Sequence, residues 1–203
     1  MSKVRNAFIW TALVIAVAIP IGAAAMSPLH AWRSPVYISA GFAGVIAMSL
    51  LLFQPMLAAG YLPGLSGRRG RRIHQWVGSI LVLLIITHVV GLWITSPPDV
   101  IDALLFVSPT PFSVWGVIAM WAAFIAASLA VIRRKRHLHP RTWRWSHKAL
   151  VTVIVVGTVI HALKVEGAME VYSKTVLCVL IIVVTALALV GYKFGRTVNK
   201  LES

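Results

Sequence analysis

The chain of 203 residues has few charged side chains and a single cysteine. Charged residues make up 12% of it and hydrophobic residues 59%, whereas a soluble domain has roughly 25% charged and 45–50% apolar residues. This balance excludes a soluble globular chain, a disordered chain and a fibrous one. Cys178 lies in an apolar run, so the chain can form neither an internal disulfide nor a cysteine-based metal cluster.

The sequence also lacks the polar–apolar alternation of a transmembrane β-barrel. It contains instead apolar runs of about 20 residues, the length that a helix needs to cross the hydrocarbon core of a bilayer. These runs predict six spans, at residues 7–26, 36–61, 74–95, 112–132, 147–164 and 172–192. The predicted fold class is therefore all-α, a polytopic six-transmembrane-helix bundle formed as a single domain by residues 1–203.

Acidic residues are scarce, with 5 Asp and Glu against 19 Lys and Arg, a net charge of +14. In a soluble protein such a charge suggests nucleic acid, but here the cations lie in short connections between apolar runs, so no nucleic-acid partner is expected. Sixteen of the 19 cations fall on one side of the predicted bundle. Positively charged loops mark the cytoplasmic side. We therefore expect both termini and the loops 68–72 and 133–144 to be cytoplasmic, in a bacterial inner membrane.

The first span has a second interpretation. Lys3 and Arg5, the following apolar run and the small residues 23–25 are similar to a signal peptide with its cleavage site. Cleavage would leave five spans and would move only the N-terminus to the outside.

Four of the seven histidines lie in or beside two predicted spans, where a polar ring is costly and usually marks a function. His74 and His88 are 14 positions apart on the third span, and His147 and His161 are 14 positions apart on the fifth. Fourteen residues fall about 40° short of four helical turns and rise about 21 Å. Each pair therefore places both rings on one helix face, with one ring near each membrane surface.

The third and fifth spans run in the same direction, because one return span separates them. His74 and His147 then lie at one depth, and His88 and His161 at another. Two imidazoles at the same depth on facing helices can bind a haem iron from both sides, which leaves no open position for substrate. The spacing thus predicts two stacked haems, about 20 Å apart, that carry electrons across most of the hydrocarbon core.

Two other interpretations of these histidines remain open. In the first interpretation the histidines are polar contacts between helices. In the second they are zinc or copper ligands of a transporter. The second would require ligands clustered within a few ångströms, commonly with carboxylates or thiols, and no such residue lies near the four histidines.

Haem propionates are anions and need cationic partners. Candidates for the inner haem are Arg71, Arg72, Arg144 and Lys148, and Lys164 is the candidate for the outer one because it lies one turn beyond His161. Anchoring of the chain at the cytoplasmic surface is the alternative role of the four inner cations.

Two segments carry a resemblance to a known family. Residues 71–78, Arg-Arg-Ile-His-Gln-Trp-Val-Gly, with Thr87-His88, resemble the third helix of the ferric reductase-like transmembrane domain superfamily. Residues 145–148, Trp-Ser-His-Lys, with Ile-His-Ala-Leu at 160–163, resemble its fifth helix. The superfamily includes ferric reductases, NADPH oxidases and the membrane haem subunit of a bacterial methionine sulfoxide reductase system. The resemblance covers about residues 36–192.

The resemblance implies a six-helix bundle with two haem b groups, the inner one ligated by His74 and His147 and the outer one by His88 and His161. Ferric reductases and NADPH oxidases carry a C-terminal FAD and NAD(P)H domain. This chain departs from that pattern, since it has no Gly-rich dinucleotide motif. We therefore expect no FAD or NAD(P) site, and a separate flavoprotein, a ferredoxin-like protein or membrane quinol as electron donor.

Three functions follow as hypotheses. The first is a bis-haem conduit that moves electrons from a cytoplasmic donor to an outer acceptor, namely ferric chelate, dioxygen or a periplasmic protein. The second is a quinol-linked cytochrome b subunit that feeds a separate periplasmic reductase. The third is a transporter or structural membrane protein without haem.

Overall fold

The fold is that of a computed structural model, which describes residues 3–136 and 139–191. Six of its helices are long and apolar enough to cross a membrane, and the described residues contain no strand. This confirms the predicted all-α class and the six spans. The helices are α1 Lys3–Ala25, α2 Pro35–Ala59, α3 Gly67–Thr95, α4 Pro97–Leu104, α5 Ser113–Arg136, α6 Pro140–Lys164 and α7 Val171–Val190.

Two of the spanning helices begin well before their predicted starts. α3 begins at Gly67 and α6 at Pro140, seven residues before the expected positions 74 and 147. The predicted loop 68–72 is therefore helical, which corrects that part of the sequence interpretation. Arginine is a good helix former, and proline is favoured in the first turn of a helix. The apolar run thus marks where the helix enters hydrocarbon, and the basic segment before it continues the same helix.

The short helix α4 was not predicted from the sequence. It begins at Pro97 and is preceded by Ser96, whose hydroxyl donates a hydrogen bond of 2.5 Å to the carboxylate of Asp99. Val100 is its one buried residue. α4 therefore lies between the end of α3 and the start of α5, and it is too short to span a membrane.

The bundle contains two tightly packed helical hairpins. α2 packs most extensively against α3, and α5 against α6, while α7 packs against α2, α6 and α1. Leu177, Cys178 and Ile181 of α7 are the most buried apolar side chains of the main core. Within the described residues α3 and α6 have few or no direct backbone contacts, so the two helices that carry the four histidines face each other across the bundle without packing together.

Two lysines join α6 and α7 reciprocally. The ammonium of Lys148, near the start of α6, donates a 2.7 Å hydrogen bond to the carbonyl of Leu189 at the end of α7. The ammonium of Lys174, near the start of α7, donates a 2.8 Å bond to the carbonyl of Val165 at the end of α6. Each cation thus satisfies a carbonyl at the negative end of the neighbouring helix dipole.

Candidate functional site

The bundle has two chemically different ends, which we name by their charge. The basic end is the one at which α3 and α6 begin, with the arginines of residues 68–72. The acidic end is the one at which α3 and α6 terminate, with Asp99, Asp102, Glu166 and Glu170.

The imidazoles of His74 and His147 meet near the basic end. Their ring centroids are 6.3 Å apart and the ring planes are 80° apart, so one ring presents its edge to the other. Four turns further on, His88 of α3 and His161 of α6 lie near the acidic end. The structure therefore brings His74 and His147 together, as the 14-residue spacing predicts, and the pairing of His88 with His161 stays a prediction.

Three of the four rings are oriented by backbone carbonyls on a neighbouring helix. In each case Nδ1–H donates to a carbonyl in, or immediately before, the preceding spanning helix, and Nε2 keeps its lone pair. Metal-bound histidines are oriented in the same way by an acceptor for their second ring nitrogen. The Nδ1–oxygen distances are 3.2 Å from His74 to Gln54, 2.8 Å from His88 to Ala40 and 3.0 Å from His161 to Phe112.

Two glycines make room for the rings near the acidic end. A Cβ atom on Gly44 would lie 3.0 Å from Nδ1 of His88, and one on Gly116 would lie 2.7 Å from Nδ1 of His161. Both imidazoles therefore rest directly against the backbone of α2 or α5. Sequence reasoning missed these glycines because they lie on neighbouring helices and not on those of the histidines.

The same arrangement occurs twice in the chain. Ala40 and Gly44 on α2 stand to His88 as Phe112, just before α5, and Gly116 on α5 stand to His161. The offset is 72 residues between the first pair of helices and 73 between the second. The hairpins α2–α3 and α5–α6 thus repeat the same placement of histidine, carbonyl and glycine.

His147 is the exception among the four. Its Nδ1 is buried and has no hydrogen-bond partner among the residues that the structure describes. The indole of Trp143 stacks on this ring instead, with a centroid distance of 4.9 Å and an interplanar angle of 16°. The guanidinium of Arg133 lies over the indole of Trp143, 4.8 Å from its centroid. Stacking replaces the hydrogen bond that orients the other three imidazoles.

A family model described as the ferric reductase like transmembrane component matches residues 40–158. The chain belongs to this family. Ferric reductase-like domains bind haem in the membrane and take part in electron transfer with redox partners. The matched range contains His74, His88 and His147, and His161 follows three residues after it. No curated protein and no solved structure gave a significant match.

The cationic residues of this ferric reductase-like domain are on its surface. The side chains of Arg71, Arg72, Arg144 and Lys164 are exposed, the first two within one turn of His74. Lys148 is exposed as well, but its ammonium is held by Leu189. The predicted propionate contacts therefore remain predictions, and for Lys148 the bond to α7 supplies a structural role.

The described residues contain no group of three or more His, Cys, Asp or Glu side chains that could hold a metal ion. Haem iron needs fewer protein ligands, because the porphyrin supplies the equatorial nitrogens. Two imidazoles that share one metal ion through bonds of about 2 Å have ring centroids about 6 Å apart. The 6.3 Å between His74 and His147 fits this requirement.

Proposed function

We propose that the chain is a bis-haem b electron conduit across the membrane. His74 and His147 would hold one haem near the basic end, and His88 and His161 a second haem near the acidic end. The observation that carries the proposal is the meeting of His74 and His147, whose ring centroids are 6.3 Å apart, a separation that two imidazoles sharing one ion would also have. The Nδ1–H bonds of His74, His88 and His161 support the same roles, since they leave Nε2 available for iron.

Each haem, held by two of the four histidines, would supply reversible one-electron chemistry. The chain holds the two sites apart and keeps the space between them apolar. Leu81 lies midway between His74 and His88, and Ile154 midway between His147 and His161, each about 10 Å from either level. Leu81 is buried and Ile154 packs against the core. Apolar side chains at this level exclude water and ions, so an electron can pass where a charged solute cannot.

The direction of transfer follows from the charges. The basic end would face the cytoplasm of a bacterium and the acidic end the outside, in agreement with the positive-inside rule. A flavoprotein, a ferredoxin-like protein or quinol would then reduce the site of His74 and His147. Ferric chelate, dioxygen or a periplasmic protein would accept the electron at the opposite end.

The test is haem analysis of the full chain purified in detergent. We expect about two low-spin b-type haems per chain, from the reduced-minus-oxidised spectrum and the haem-to-protein ratio. H88A should lose the haem near the acidic end, and H74A the one near the basic end. H30A is the matched control, because His30 lies outside the four-histidine set and its ring bonds to the carbonyl of Ala24.

Two normal haems in H74A or H88A would reject the ligand assignment. A chain without haem after expression with added haem would reject the conduit altogether. Two haems in the wild type, with loss confined to the variants of the four histidines, would support it.

A further inference from the structure

We infer that Arg133 and Trp143 act on His147 as positioning residues that give the haem near the basic end the higher reduction potential of the two. Outward transfer is then uphill between the two sites, and the membrane potential drives it. The inference rests on the proposed function. It concerns how the chain tunes its two sites, which the binding of haem alone does not determine.

The first step is the unequal hydrogen bonding of the ligands. An imidazole that donates Nδ1–H to a carbonyl is a stronger electron donor to its metal and favours the oxidised state. Both rings near the acidic end donate such a bond, at 2.8 Å from His88 and 3.0 Å from His161. Near the basic end His74 has one and the buried Nδ1 of His147 has none. The ligands near the basic end therefore favour the oxidised state less.

The side chain beside the histidine of the basic end differs between the two hairpins. Gln54, which accepts from His74 through its carbonyl, also donates its side-chain amide to the carbonyl of His74 at 3.4 Å. The residue 72 positions later on α5 is Ala126, which has no side-chain amide to donate to α6. The indole of Trp143 stacks on the ring of His147 instead.

The second step is charge. The guanidinium of Arg133 lies 4.8 Å from the centroid of Trp143, which in turn stacks on His147 at 4.9 Å. A fixed positive charge near a redox site stabilises the added electron, and the low dielectric of the bilayer strengthens the effect. Arg71 and Arg72 add to it near His74. At the opposite end four acids, Asp99, Asp102, Glu166 and Glu170, outnumber the three cations Arg33, Lys164 and Lys174. Charge and hydrogen bonding thus both raise the reduction potential of the site near the basic end relative to that of the other site.

The transfer itself involves no bond and no proton. A one-electron donor at the basic end loses an electron, and a one-electron acceptor at the acidic end gains it. Between the two sites the electron moves toward the lower potential. A membrane that is negative on the cytoplasmic side repels the electron outward and supplies the missing free energy. The structure thus predicts a conduit that holds its electron on the basic side until the membrane is energised.

The experiment is potentiometric titration of the full chain, followed by the absorbance of the haem bands. We expect two waves, and H88A, which keeps only the site near the basic end, should retain the upper one. R133Q and W143A should lower the potential of the upper wave and leave that of the lower wave unchanged. W143F, which keeps a stacked ring, should keep the upper wave close to its wild-type potential. R68Q and W145A are the matched controls, because they remove an exposed arginine and an exposed tryptophan from the same end outside the stack.

A shift of the lower wave in R133Q would overturn the inference, as would an equal shift in R68Q or retention of the lower wave in H88A. If H88A does not fold, the wave that moves in R133Q still identifies the site near the basic end. The haem-to-protein ratio is measured on the same samples, so a failure of the proposed function appears as fewer than two haems and not as a reversed order of potentials.

Discussion

His74 of α3 presents its imidazole edge-on to that of His147 of α6, with 6.3 Å between the ring centroids. The helices that carry these rings do not pack closely against each other and are each held by another helix, α3 by α2 and α6 by α5. The distance between the two rings is therefore set by the two hairpins and not by the rings themselves. This is how a protein keeps a site preorganised for a ligand that fits between two side chains.

The first prediction concerns the two glycines that lie against the rings of His88 and His161. G44A and G116A each place a Cβ within 3.0 Å of a histidine Nδ1, so the ring must move away from its carbonyl acceptor. We expect loss or spectral change of the haem near the acidic end, with the other haem retained. G41A is the control on α2, since a Cβ there meets nothing within 4 Å. Equal loss of both haems in G44A and G116A would contradict the prediction.

The second prediction concerns packing within the hairpins. A Cβ on Gly91 would lie 2.7 Å from Cβ of Ala40, and one on Gly157 would lie 2.9 Å from the carbonyl oxygen of Trp115. G91A and G157A should therefore lower the free energy of unfolding by about 1–3 kcal/mol, as overpacking does. Thermal unfolding in detergent measures this. G22A should not destabilise the fold, because its position in α1 is open and alanine is the better helix former.

The third prediction concerns the lysines that join α6 and α7. K174M removes a buried ammonium from the carbonyl of Val165, and we expect a loss of about 1–3 kcal/mol in stability. K148M breaks the exposed bond to Leu189 and should cost about 0.5–1.5 kcal/mol. Haem content should stay at the wild-type level in K148M if its role is structural. Loss of haem at unchanged stability would instead favour the propionate contact.

The fourth prediction concerns acid sensitivity at the start of α7. The backbone N–H groups of Ser173 and Tyr172 hold the pKa of Glu170 below its ordinary value of 4.5. A carboxylate whose pKa is lower in the folded state stabilises the fold above the ordinary pKa, and this contribution is lost as the pH falls through the lowered value. E170Q should therefore lose less thermal stability than the wild type between pH 5 and pH 3, by about the contribution of this one group.

Glu166 provides the control for that titration. It is an exposed acid of the same connection, outside the cap of α7. Comparison of E170Q with E166Q separates the loss of the cap from the loss of one acidic side chain. An identical pH profile of E170Q and the wild type would show that the cap does not distinguish the ionised carboxyl from the neutral amide.

The sequence could predict the spans and the pairing of the histidines because both depend on fixed helical geometry. Fourteen residues always return to nearly the same face of a helix, so the positions of His74 and His88 along the chain are enough to define a shared face. The carbonyl acceptors of these rings could not be predicted, because a backbone oxygen at Ala40 or Phe112 has no signature in residue type. The same holds for the starts of α3 and α6, since hydropathy marks the membrane boundary and not the end of hydrogen bonding.

The stack on His147 shows a different limit. Trp143 precedes the histidine by four residues, a spacing at which two side chains on a helix meet. A tryptophan near the end of a span is nevertheless typical of the aromatic belt, and the sequence does not distinguish the two roles. Arg133 comes from the preceding helix, and its position over the indole depends on how α5 and α6 pack together.

The placement that recurs in α2–α3 and α5–α6 has a consequence for the two histidine pairs. His74 and His88 lie on the second helix of one hairpin, and His147 and His161 lie on the second helix of the other. Each proposed site would therefore be shared between the two hairpins. A displacement of one hairpin against the other would then change both sites at the same time.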